Sequence, residues 1–140
     1  MDNYITKSQH IKPIFELLKI NDRYKNIRDR CTDNMHYNFY WNVILNDNKV
    51  HNEHRTKYLD MLLNDIEHLI LMHLSYLFYF NEKYMMSSDY IDYLDSGTTP
   101  PEDSQYWVAP FIQEIFDNVI KKYRPDIAAE IQGKTCMHLR

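Results

Sequence analysis

Between Asn52 and Phe80 the chain reads NEHRTKYLDMLLNDIEHLILMHLSYLFYF, without Gly or Pro and rich in residues that cost little in a helix. Apolar positions recur at Leu59, Leu62, Leu63, Ile66, Leu69, Ile70, Leu74, Leu77 and Phe80, the i, i+3, i+4, i+7 spacing of one helical face. Asp60, Asn64, Glu67 and His68 occupy the other face, which turns apolar at Leu71, Phe78 and Tyr79. The pattern predicts one long helix, with the Leu/Ile stripe and His73 inside. Such a helix would be about 44 Å long. A compact chain of this size has a radius of gyration of about 14 Å, so the helix is expected to cross the whole domain.

The flanking segments read as shorter helices. Lys12–Ile20 begins with Pro13 in its first turn and presents Ile14, Phe15, Leu17 and Leu18. Asn21 or Asp22 is placed to cap a segment from Arg23 to about Cys31, and Thr32 or Asp33 to cap a continuation to Leu45. Asn46-Asp47-Asn48 is a turn. Beyond Phe80, a short helix carries Tyr90, Ile91, Tyr93 and Leu94, and Ser96-Gly97-Thr98-Thr99-Pro100-Pro101 breaks the chain. A second long helix is expected over about Asp103–Tyr123, kinked or restarted at Pro110, with Phe111, Ile112, Ile115, Phe116, Val119 and Ile120 buried. Pro125 opens a last helix that Gly133 closes. The expected fold is all-α: a single domain over 1–140, a bundle of five to seven helices around 52–80, with 1–9 and 134–140 flexible.

Composition agrees with that class. Two Gly and five Pro in 140 residues leave little material for hairpins. The most apolar run, Leu69–Phe80, is 12 residues and contains His73, too short to span a bilayer. No signal-peptide pattern is visible at the N-terminus. Cys31 and Cys136 are too few and too distant for a disulfide framework. These features predict a reduced, cytoplasmic protein that does not engage a membrane.

Charge changes the picture more than any motif. Residues 1–60 hold ten basic and eight acidic groups, and residues 121–140 carry an excess of three positive charges. Between Tyr84 and Ile120 there is no Lys or Arg, against seven acids: Asp89, Asp92, Asp95, Glu102, Asp103, Glu114 and Asp117. Tyr90, Tyr93, Tyr106 and Trp107 are interleaved with them. An uncompensated acidic field speeds association with a basic partner, and adjacent rings supply anchors. The same field repels phosphates, so nucleic acid is not expected on this face. The expectation is a non-enzymatic protein-binding module, most concretely an inhibitor or immunity-type protein covering a basic surface such as a nuclease cleft. Its contact residues would be Asp89, Tyr90, Asp92, Tyr93, Asp95, Glu102, Asp103, Tyr106 and Trp107. A homodimer burying the Tyr-rich surface is a further possibility.

Two enzyme alternatives stand beside it. Arg30 and His36, in RDRCTDNMHYNF, enclose five residues. That pair resembles the Arg-to-His motif of HEPN-type helical ribonucleases, which implies Arg30 on a phosphate and His36 as acid or base. His51 and His54, three apart, would share a metal if both are helical, with a nearby carboxylate as third ligand. With two Gly in the chain there is no phosphate-cradling loop. Neither a catalytic constellation nor a cofactor is assigned on these patterns.

Overall fold

A computed structural model describes residues 8–19, 22–35, 52–101 and 107–140. The protein is an all-α helical bundle: seven helices and no strand among the described residues. They are α1 (Lys12–Lys19), α2 (Arg23–Met35), α3 (Asn52–Phe80), α4 (Glu82–Met85), α5 (Ser88–Ser96), α6 (Pro110–Ile115, continuing as a π-helical stretch Phe116–Lys121) and α7 (Pro125–Lys134). No described helix is long and apolar enough to cross a membrane.

The long helix has the expected bounds, but it buries a different face. Asp65, His68, Leu71, Ser75 and Phe78 are inside, whereas Leu59, Leu62, Leu63, Ile66, Leu69 and Ile70 are exposed. At about 100° per residue, the buried set lies roughly 170° around the helix from the centre of the Leu/Ile stripe. Phe80 and His73 also lie outside, so among the described residues the buried histidine is His68 and not His73.

The contacts gather into two compact units. In one, spanning Leu18–Ile70, α2 runs unbroken past Thr32, whose hydroxyl donates back to the Arg28 carbonyl at 3.0 Å instead of capping a new helix. Arg23 and Arg30 lie one heptad apart on α2 and both reach α3. Arg23 donates to the Asn64 side chain, and Arg30 grips Asp65 with both arms of its guanidinium, Nε donating to Oδ2 at 3.0 Å. These polar clamps hold the Asn64 and Asp65 side of α3 to α2, while its hydrophobic stripe lies elsewhere. The expected continuation of the second segment to Leu45 falls outside the described residues.

The other unit joins residues 1–17 to 71–140. Its core is Ile14, Phe78, Phe116, Ile120, Ile127, Ile131 and Met137, all buried. The Phe78 and Phe116 rings lie 5.9 Å apart between centroids, a tilted aromatic pair. Pro110 restarts the chain as the first residue of α6, because a proline forces the residue before it, Ala109, into extended backbone (φ −60°, ψ 146°). Ile112, Phe116 and Ile120 are buried as the pattern predicts. Phe111 is exposed, and Ile115 and Val119 are half-buried. The C-terminal tail, expected to be flexible, is docked. Met137 and Leu139 are buried, the Arg140 amide donates to Gln113, and the Arg140 carbonyl accepts from Lys121 at 2.9 Å.

Arg124 fastens α7 to α1 by donating to the Leu17 carbonyl while holding Asp126 through two bonds, at 2.9 and 2.7 Å. The Arg124 guanidinium keeps the Asp126 carboxyl below the usual carboxylate range, and the amides of the α7 first turn add to this. A carboxyl depressed in the fold stabilises it fully above its unfolded value. That stabilisation is lost as pH falls through the folded value. Asp126→Asn is therefore expected to cost about 0.5–1 kcal/mol at neutral pH, a half-exposed pair being screened by solvent. The deficit should shrink as pH falls below the unfolded carboxylate value of about 3.9, as read by urea unfolding at neutral and acid pH.

Candidate protein-binding surface

The acidic segment is built on α5. Ser87 donates its amide to the Trp107 carbonyl at 3.0 Å, beside an isolated antiparallel bridge between Met86 and Val108. These bonds tether the start of α5 to the strand-like stretch before α6. At its other end Gly97 adopts the left-handed conformation (φ 69°), which only a residue lacking Cβ takes without strain. The amides of Gly97 and Thr98 then close on the carbonyls of Leu94 and Tyr93, ending the helix cleanly.

Three carboxylates, Asp89, Asp92 and Asp95, recur every third residue along the exposed side of α5. Asp95 accepts from Lys83 at 2.7 Å, and that pair is more than half exposed on both sides, so it contributes little to stability. The Asp95 carboxylate raises the Lys83 ammonium above its ordinary value. Asp89 accepts a long bond from the Ser88 hydroxyl, and among the described residues neither Asp89 nor Asp92 has a cationic partner. Farther along, Asp117 is held by Gln113 and Lys121 of its own helix. Lys121 thus offsets Asp117 at the far end of the acidic run, and the α5 side is left to solvent.

The rings behave differently from the expectation. Tyr90 is only 4% exposed, so it is a core residue and not a contact. It stacks on Trp107 at 4.2 Å, and Trp107 stacks in turn on His138 of the docked tail at 3.9 Å. Both faces of the Trp107 indole are therefore covered from within the chain, which removes it from the expected contact set. Tyr93 is half-buried, edge-on to Tyr90. The ring that does project is Tyr84, 85% exposed, which the charge-based reading passed over. Glu102, Asp103 and Tyr106 lie outside the described residues.

Of the enzyme alternatives, Arg30 is committed to Asp65 by a bidentate ion pair, and His36 falls outside the described residues, as do His51 and the side chain of His54. Among the described residues no three His, Cys, Asp or Glu side chains converge as a metal site. Comparisons with known protein families, curated proteins and solved structures find no match to this chain. The class is therefore that of an all-α helical bundle, and its role has to be argued from its own surface.

Proposed function

We propose that this chain is a non-enzymatic intracellular module that binds another protein through the acidic side of α5. The observation that carries the reading is the exposed pair Asp89 and Asp92, one turn apart on one helix and without a cation among the described residues. Asp95 extends the row, and the exposed Tyr84 and half-buried Tyr93 replace Tyr90 and Trp107 as the available rings. The most concrete form is an inhibitor or immunity-type protein, residing in the cytoplasm, that covers the basic substrate cleft of an enzyme such as a nuclease. Local carboxylates at such a contact steer a basic partner and set its salt sensitivity.

The experiment is capture of partners from the native host with wild-type chain and with Asp89→Asn/Asp92→Asn as baits. A basic protein retained by the wild type should be lost about tenfold from the variant, and lost equally when salt is raised from about 50 to about 300 mM. Equal retention by both baits sinks the reading. Against the ribonuclease alternative stands the Asp65 clamp on Arg30, since a guanidinium already paired with a carboxylate is poorly placed to take a phosphate. RNA cleavage by the purified chain that His36→Ala abolishes would restore that alternative.

A further inference from the structure

We infer that the exposed Leu/Ile stripe of α3 is a homodimer seam, on which a second copy of this chain packs its own stripe in antiparallel orientation. Leu59, Leu62, Leu63, Ile66, Leu69 and Ile70 are 39% to 58% exposed, although they are the most regular apolar series in the sequence. Their spacing is a seven-residue repeat. Leu59 and Ile66 hold one heptad position, Leu62 and Leu69 the next core position, and Leu63 and Ile70 the one beside it. Leu77 and Phe80 fall on the same repeat, after His73 and Tyr76 at the intervening core positions.

A period of 3.5 is what a facing helix demands of a seam. The side of α3 that packs on its own chain keeps the same period, His68 and Ser75 one heptad apart and Leu71 and Phe78 likewise, but its residues are a mixed set, and Arg30 of α2 holds the Asp65 that precedes them. The helix therefore has two working faces, and the hydrophobic one faces outward.

Area and charge choose the occupant. Taking roughly 180 Å² for a fully exposed Leu or Ile, the six side chains offer on the order of 500 Å² of apolar surface, near the upper end for monomers. Two copies together reach about 1,000 Å², the lower bound for a specific protein–protein interface. A two-fold contact uses one patch twice, and a Leu/Ile heptad surface complements itself. Arg55 sets the direction. It is exposed at the core heptad position one repeat before Leu62. A parallel pair would set Arg55 against its own copy across the seam, whereas antiparallel helices place it beyond the Leu/Ile block of the other chain.

The test is the mass of the full chain by light scattering across a dilution series, for wild type and for Leu62→Glu/Ile66→Glu. The wild type is expected to be a dimer. The variant, with two carboxylates in the seam, should dissociate with a dissociation constant raised at least about 100-fold. Because both positions face solvent within one chain, its helical circular dichroism should be unchanged. In a background with Cys31 and Cys136 replaced by Ser, Ile66→Cys should form a disulfide-linked dimer on oxidation, while Leu59→Cys, far from its own copy in an antiparallel pair, should not. A wild type that stays monomeric at hundreds of micromolar overturns the inference. So does a dimer that survives the double substitution, or crosslinking through Leu59→Cys as efficient as through Ile66→Cys.

Discussion

Phe116→Ala is expected to lower the unfolding free energy by about 3–5 kcal/mol, the range for removing a large buried ring whose cavity cannot fully close. Phe116 is fully buried, and its ring meets Phe78 from α3 at 5.9 Å. It also opens the π-helical stretch Phe116–Lys121, in which it and Ile120 are the buried side chains. Phe116→Leu keeps most of the apolar volume and should cost far less, on the order of 1–2 kcal/mol. Urea unfolding followed by circular dichroism separates the two. If Phe116→Ala and Phe116→Leu cost the same, the ring is not packed as described.

Asp65→Ala is expected to cost about 3 kcal/mol, because it leaves the Arg30 guanidinium without the carboxylate that both of its arms engage. The carboxylate is the more buried partner, with its side chain 12% exposed against 34% for Arg30. Losing Arg30 would then leave the more costly orphan. Arg30→Ala should therefore destabilise at least as much as Asp65→Ala, and the double variant should cost clearly less than their sum. A coupling near zero in that cycle would show that the clamp does not hold α2 to α3. Arg30→Lys should not rescue the pair, since an ammonium cannot reproduce the two-pronged geometry.

Much of this bundle was legible along the chain. The absence of breakers over 52–80 dictated a single helix there, and that helix forms with those bounds. Pro110, Pro125 and Gly97 mark the starts of α6 and α7 and the end of α5 for local reasons: a fixed φ at the prolines and a left-handed residue at the glycine. The acidic run and its lack of nearby cations in sequence were equally plain. The α5 part of that run remains on the surface, although Lys83, just before the run begins, takes Asp95.

What could not be read was which side of α3 faces inward. A hydrophobic stripe has the same period whether it meets its own chain or another molecule, so Leu59–Ile70 looked like core. Only the polar face opposite sets it apart, and the arginines that hold Asp65 and Asn64 there lie 35 and 41 residues away in the chain. Tyr90 and Trp107 were misplaced for the same reason, because a ring beside acids is an anchor or a core residue according to what stacks on it. Here the partner is His138, at the far end of the sequence.

Local chemistry thus settled by itself that this chain is helical, where its longest helix lies and where its negative charge gathers, since backbone propensity and charge count depend on near neighbours. Only the tertiary arrangement decided that Arg23 and Arg30 turn the polar side of α3 inward, that the tail covers the indole, and that the Leu/Ile stripe is left to solvent. Burial is a property of distant pairs of residues, and no spacing along one strand of sequence specifies which pairs will meet.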